Sequence, residues 1–402
     1  VTVLAGEPFG EVARREGLGF HPLFSDQQYR EGIRNPDVWH PLKGFKAVVE
    51  GAMLPAMRAT FAFVRDAVEA EGPGRVAVAA STLSVGARVA EERLGVPTAT
   101  VHLQPVVFRD CRRPPIMGGA PLTHWTPEWW NRLFFWVADR WFLDPVVAPP
   151  VNAFRAEVGL TAPAHPPVSR LMAGWLHSPR MVLGLFPDWY APKMPGWPAH
   201  TSLTGFPLYD ESGATEVPAE VEEFLAAPGG PPIVFTPGSA NVHARPFFEA
   251  AVGACARLGR RGMLLTKFGE QVPADLPAGV RRFAFVPLSA VLPRSAALVH
   301  HGGIGTASQG LVAGVPQLVM AMSHDQPDNG DRLKRLGVGE WVTPARFTAD
   351  RVADMLRGLV ESKVVANACR ALTERLKDRG ESAREEAARK LETLLDRPPP
   401  GE

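Results

Sequence analysis

Residues 296–306 read Ala296-Ala297-Leu298-Val299-His300-His301-Gly302-Gly303-Ile304-Gly305-Thr306. A short apolar run stops at two histidines and a cluster of glycines. A helical run over 307–313 follows, and Gly314-Val315-Pro316 ends it. A short apolar run bounded by turn residues predicts a buried strand, and a Gly then a Pro just past a periodic run predict a helix end. The order is therefore strand, glycine turn, helix. Physically the turn is an anion site. Glycines let backbone N–H groups approach a ligand, and the helix N-terminus adds a partial positive charge. Thr306 offers a hydroxyl, and a histidine can donate Nε2–H to a phosphate oxygen. The spacing is neither the Gly-x-Gly-x-x-Gly of dinucleotide folds nor the Gly-Lys-Ser/Thr of P-loops.

Outward from this turn the same alternation recurs. Strands are predicted at 233–236, 262–266, 281–285, 297–299 and 317–319, with helices between them, including 245–258. The first half predicts strands at 1–6, 76–80 and 97–103 and helices at 7–16, 44–71 and 84–94. In the longest of these, Phe45, Val48, Val49, Ala52, Met53, Ala56, Met57, Thr60, Phe61 and Val64 keep helical spacing. Strands alternating with helices imply parallel α/β sheets. Gly205-Phe206-Pro207, Asp210-Glu211-Ser212-Gly213 and Pro228-Gly229-Gly230-Pro231-Pro232 flank one short helix at 218–227. The organisation expected is a first domain over 1–205, a linker over 206–231 and a second domain over 232–378. A charged C-terminal helix over 379–402 would reach back to the first half.

Composition bounds the function. The chain has 402 residues, with 43 Lys plus Arg against 42 Asp plus Glu, for a net charge of +1. That balance excludes nucleic-acid binding through a strong global field. Apolar residues are 46% and charged residues 21%, an ordinary globular balance. Cys111, Cys255 and Cys369 have no Cys-x-x-Cys spacing, so a disulfide framework and a zinc or redox motif are not expected. No uncharged apolar stretch of about 18 residues predicts a spanning helix. No basic-then-apolar leader is read at Val1, and a cytoplasmic location is expected.

Five of the ten Trp lie in 124–142, as Trp125, Trp129, Trp130, Trp136 and Trp141, beside Phe134, Phe135 and Phe142. Pro127 suits the first turn of a helix, with Thr126 as its cap. Such a segment is either a helix buried on several sides, a lining for an apolar ligand, or a lid resting on a membrane surface.

The run from His300 to Gly339 holds HHGGIGT, GVPQLV, Ser323-His324-Asp325-Gln326-Pro327 and LGVG. It resembles the donor-site signature of the family 1, UGT-like glycosyltransferases of the GT-B fold. Gly205-Phe206-Pro207-Leu208 and Asp325-Gln326-Pro327-Asp328-Asn329 make it most similar to bacterial members akin to rhamnosyltransferases and sterol glucosyltransferases. The resemblance implies two Rossmann-like domains facing a cleft. It implies that His301 binds a diphosphate, that Gly302, Gly303, Gly305 and Thr306 cradle it, and that Ser239 meets it from the first loop of the C-terminal domain. Asp325 and Gln326 would hold sugar hydroxyls. Phe285 and Val286 would take the nucleobase. Gln309 stands where members that use UDP often carry a Glu for the ribose, so a thymidine diphosphate donor stays open.

The implied reaction is an inverting, metal-independent transfer from a UDP- or dTDP-sugar to a hydroxyl of an apolar small molecule or lipid. No cofactor is expected beyond the donor itself, and no Asp-x-Asp metal motif is read. Trp125, Trp129, Trp130 and Phe134 are the candidate acceptor lining, and peripheral membrane contact is compatible with them. The family places its base, a His or Asp, in a loop after a first strand that would precede Val1-Thr2-Val3-Leu4-Ala5. The N-terminal domain is therefore expected to lack its first strand, loop and helix in this sequence, and His102 is the substitute candidate. Two other readings remain: a nucleotide-sugar-binding protein impaired in catalysis, and a GT-B nucleotide-sugar 2-epimerase.

Overall fold

A computed structural model of the chain describes residues 1–160, 174–209, 217–239, 241–377 and 382–396. They form two compact units. One comprises Val1–Pro115, Gly119–Gly205 and the segment from Ala383. The other comprises Ile116–Gly118 and Phe206–Ser382.

The first unit contains two parallel sheets. β1 (Thr2–Gly6) pairs with β2 (Gly19–Phe24). β3 (Val78–Ser81), β4 (Thr98–His102), β5 (Met181–Gly184) and β6 (Thr201–Leu203) form the other in that order. The predicted long helix runs from Gly44 to Glu71, with one widened π turn at Val49–Met53 just ahead of Pro55, which has no N–H to donate. It is long and apolar enough to cross a membrane, contrary to the sequence expectation. Its apolarity is used in the core instead. Val49, Met53, Met57, Phe61 and Val64 are buried among Val85, Val89, Val147, Val151 and Phe154. The neighbouring helix Val85–Leu94 comes close because Gly86 lacks a side chain: a Cβ there would lie 2.2 Å from the Met57 carbonyl oxygen. The helix Ala383–Glu392 belongs to this unit, and Leu394 just beyond it is buried with Ala99, Met181 and Leu183.

The second unit is one six-stranded parallel sheet. Its strands are β7 (Ile233–Thr236), β8 (Gly262–Leu265), β9 (Val280–Phe283), β10 (Ala297–His300), β11 (Gln317–Met320) and β12 (Gly339–Val342). They lie in the order β12-β11-β10-β7-β8-β9. Alternate residues pack on opposite faces, as strand geometry requires. Ile233, Phe235, Leu264 and Val299 join one core, and Val234, Met263 and Leu298 join the other. Both faces are covered, which is why these strands read as continuous apolar runs. The stretch over 206–231 is not a free linker. Its helix Ala219–Ala226 buries Val221 and Phe224 against Val234, Met263 and Phe283. Two apolar residues three apart in one short helix are too brief a stripe to reveal that packing in sequence.

Candidate functional site

The order of the second sheet reverses at its centre. β8 and β9 lie to one side of β7, and β10, β11 and β12 to the other. In open α/β sheets such a switch point, at the carboxyl ends of the strands, is where ligands bind. Two glycine loops flank it here. Pro237-Gly238-Ser239 follows β7, and His301-Gly302-Gly303 follows β10. Gly238 and Gly302 have φ of 92° and 95°, values that side-chain-bearing residues rarely adopt. His300, fully buried, accepts the Gly302 N–H on Nδ1 at 3.1 Å, and Asn329 Nδ2 donates to the Gly302 carbonyl at 2.9 Å.

The His301 ring sits between the two loops. A Cβ on Gly238 would come within 2.8 Å of it, and a Cβ on Gly303 within 2.5 Å of Nε2. The glycines thus make the space for this imidazole. Gly303 is the N-cap of the helix Ile304–Ala313, and no side chain of its own caps the helix. Gly305 is exposed in the first turn and Thr306 half-exposed. The result is a helix start where the Gly305 and Thr306 N–H groups stand with His301 Nε2 beside them, an arrangement that favours an anion. Burial pushes His301 down to about 4 and His300 to about 3; for His300 the neighbouring His301 adds to this and Gln317 opposes it. Both rings are neutral at pH 7, so His301 acts by hydrogen bonding rather than by charge.

The loop after β11 meets the same turn. His324 is left-handed at φ 56°, the one non-glycine so placed among the described residues. Asp325 precedes the helix Gln326–Arg335 but makes no side-chain cap to it. Its Oδ2 accepts from Asn329 Nδ2 at 2.8 Å, and the Ile304 N–H also donates to it. Asp325 is thereby held at the first turn of the glycine-loop helix. Burial pushes its carboxyl up to about 6, against the opposing hydrogen bonds from its own backbone, Asn329 and Ile304.

Gln326 corrects an expectation. It is 2% exposed, and its Oε1 accepts the N–H groups of Met322 at 2.8 Å and Ser323 at 3.3 Å. Its carbonyl shapes the loop rather than facing a sugar. Val286 is a core side chain at 4% exposure, so only its backbone is left for a ligand. Gln309 is 8% exposed within its helix. Phe285 is 41% exposed with Lys267 Nζ 5.4 Å above the ring, a free aromatic face with a cation beside it. Ser239 is exposed on its loop.

Three residues that the sequence reading passed over complete the site. Asn329 bridges Gly302 and Asp325, and its i+4 spacing from Asp325 was the available signal. Lys267, one of few lysines in an arginine-rich chain, stands at the end of β8. Asn241 is 3% exposed and reaches Met322 Sδ at 3.7 Å, tying the β7 loop to the β11 loop.

In the first unit, His102 is not placed to meet a ligand. The ring is 1% exposed. Nδ1 lies 2.6 Å from Thr82 Oγ1, and Nε2 lies 2.9 Å from His177 Nδ1. Burial, then the nearby His177, holds it well below the usual histidine range. The Trp-rich helix, Glu128–Ala138, starts at Pro127 as N-cap. Thr126 does not cap it but bonds Asn131 Oδ1 at 2.7 Å and the Thr123 carbonyl at 2.6 Å. The helix is not buried on several sides: Trp125 is 93% and Trp129 65% exposed, while Trp130 and Phe134 are half-buried. Trp130 Nε1 donates to the Pro121 carbonyl at 3.1 Å.

These titrations predict acid sensitivity. His300 and His301 fold with pKa values below their ordinary 6.5, so the unfolded chain holds more protons on them. Asp325, raised from 3.8, holds one more proton when folded. Between pH 6 and 4 the unfolded state therefore holds about one net proton more. The second unit should lose about 1.4 kcal/mol per pH unit as pH falls, and His102 pushes the first unit the same way. Urea midpoints at pH 4.5, 5.5 and 7 check this; a midpoint that holds or rises toward acid contradicts it.

Comparison with known proteins gives the context. A family model described as the C-terminal domain of erythromycin biosynthesis protein CIII-like proteins matches residues 264–394. An O-mycaminosyltylonolide 6-deoxyallosyltransferase of Streptomyces fradiae is 34% identical over 250 residues, 61% of this chain and 56% of that protein. The chain thus spans about half the length of that relative. An uncharacterized protein of Mycobacterium bovis is 30% identical over 304 residues, 74% of this chain and 67% of its own. Among solved structures, a spinosyn rhamnosyltransferase complexed with thymidine diphosphate superposes with a TM-score of 0.65 at 18% identity, covering 98% of this chain and 92% of that one.

Proposed function

Since the chain belongs to the family 1, UGT-like glycosyltransferases of the GT-B fold, we propose that it transfers a sugar from a nucleoside-diphosphate donor to a hydroxyl of an apolar acceptor, with inversion and without a metal. The observation that carries this reading is the pair of glycine loops holding His301 at a glycine-capped helix start, on the switch point of a parallel sheet. Charge develops on the diphosphate as the sugar departs. The N–H groups of Gly305 and Thr306 and His301 Nε2–H are fixed donors for it, aided by the helix dipole and requiring no reorganisation. Asp328 is held by Arg332 at 2.7 Å, so it is already neutralised by a neighbour.

Phe285 and Lys267 would receive the nucleobase by stacking, and Ser239 and Thr306 would add hydroxyls to the phosphates. Asp325, with Asn329 behind it, would accept sugar hydroxyls. We favour thymidine diphosphate over UDP. Buried Gln309 brings no carboxylate to a ribose, and a solved structure of the same fold holds thymidine diphosphate. Trp130 and Phe134, half-buried in the first unit, are the acceptor-facing candidates.

The test is calorimetry with dTDP and UDP, then transfer assays over a panel of both sugar series. Absence of binding to either diphosphate would sink the reading. Asp325→Ala should weaken nucleotide-sugar donors at least tenfold more than bare diphosphate, since in this reading its carboxylate also accepts sugar hydroxyls. Equal losses would make Asp325 a structural brace for Asn329 and Ile304.

A further inference from the structure

The aromatic segment divides into two faces, and its outer one lacks any cover among the described residues. Trp129 is 65%, Leu133 45% and Trp136 60% exposed, and Trp141 and Phe142, in the widened turn that follows, are 62% and 67% exposed. Trp129, Leu133, Trp136 and Arg140 follow i, i+4, i+7 and i+11 spacing, which keeps them within one helical stripe. Asn131, Phe135 and Asp139 turn inward and are buried. A soluble surface seldom leaves this much contiguous aromatic area in water without a partner.

The charges around the stripe are one-sided. Arg112, Arg113 and Arg140 are exposed, while the exposed Arg132 is paired with Glu128, the exposed acid of the 109–142 stretch, at 2.6 Å. Asp110 and Asp139 are buried, and Arg109 is bonded to Asp139 at 2.6 Å. The basic loop is fixed to the helix: Asn131 Nδ2 donates to the Cys111 carbonyl at 2.8 Å. Arg140 stands over the Trp141 ring at 5.0 Å, so its guanidinium rides on the aromatic layer. Tryptophan and leucine on one stripe that ends at Arg140, with further arginines in the neighbouring loop, form the pattern of a helix lying in a membrane interface.

We propose that this face docks on a lipid bilayer carrying anionic headgroups. The rings enter the boundary between headgroups and acyl chains, and the arginines meet lipid phosphates. A second copy of the chain fits less well. A two-fold contact through the same face would set Arg132 and Arg140 against the partner's like charges. Docking does not depend on the transfer chemistry. Under the proposed function it explains how an acceptor dissolved in lipid would come within reach of the first unit.

The experiment is flotation of the full chain with vesicles of phosphatidylcholine alone and of phosphatidylcholine with phosphatidylglycerol. The expected result is recovery with the anionic vesicles, weakened by salt, with a blue shift of tryptophan emission. The W129S/W136S/W141S variant should lose at least tenfold in partitioning. R132Q/R140Q should lose roughly fivefold per charge on anionic vesicles and little on neutral ones. All five positions are exposed, so folding and nucleotide binding should persist, and both serve as controls. The proposal is overturned if the chain does not float with either vesicle, or if the Trp variant floats as well as the parent. It is equally overturned if light scattering shows a dimer that the Trp variant dissolves, which would assign the face to a second copy.

Discussion

Replacing His301 with alanine should weaken nucleoside-diphosphate binding by about 1.5–3 kcal/mol, the scale of a hydrogen bond to a charged group. The ring stands at the start of the glycine-loop helix with Nε2 beside Gly303. Its pKa of about 4 fixes how it works: a neutral imidazole donates one N–H and brings no charge. The loss should therefore be the same at pH 6.5 and pH 8. His301→Gln, which keeps an N–H donor, should recover part of it. Calorimetry with dTDP and UDP reads the effect. Unchanged affinity in the alanine variant removes His301 from the site, and a loss confined to the lower pH would mean that the ring binds as a cation.

Gly302→Ala should destabilise the second unit by about 2–5 kcal/mol. The backbone there is left-handed at φ 95°, which costs a residue with a Cβ about 1–2 kcal/mol. The new methyl would also lie 2.7 Å from Val319 Cγ1 and 3.1 Å from the Gln326 carbonyl oxygen. Overpacking of that kind adds about 1–3 kcal/mol, and the carbonyl belongs to backbone that cannot swing away. Gly305→Ala is the matched contrast. It has no strained φ, and a Cβ there meets nothing within 4 Å. By helix propensity it should stabilise by about 0.5–1 kcal/mol. Because Gly305 lines the open helix start, the same change should lower diphosphate affinity. Urea denaturation with calorimetry separates the two readouts. Equal stability effects for the two glycines would refute the loop geometry as the reason for Gly302.

The second unit was legible because its strands are buried on both faces. The runs at 233–236, 262–266 and 317–319 contain few polar interruptions, and the switch-point turn carries its glycines in a recognisable order. The first unit was less so. β2 contains His21 and Pro22 and is largely half-exposed, while β6 is three residues long, so neither shows a usable period. The helix Ala219–Ala226 looked like linker because two buried residues do not make a stripe.

At the site, side-chain identity located the loops but not the direction in which each side chain points. Asp325-Gln326 reads as a matched pair, yet Asp325 bonds across to Ile304 and Asn329, while Gln326 folds back on its own loop. His102 looks available at the end of a strand, and only the fold shows both nitrogens engaged by Thr82 and His177. The aromatic segment gives the same lesson. Its composition left a buried helix, a ligand lining and a membrane-resting lid open, and helix geometry sends Trp129 and Trp136 outward and leaves Trp130 and Phe134 half-buried.

The central claim is that the turn from His301 to Thr306 binds a nucleoside diphosphate. Titration of the full chain with dTDP in a calorimeter, parent against His301→Ala, tests it most directly. The account predicts saturable one-site binding by the parent, weakened about 10- to 150-fold in the variant. A parent that releases no heat with dTDP or UDP, or a variant that binds as tightly as the parent, would contradict it.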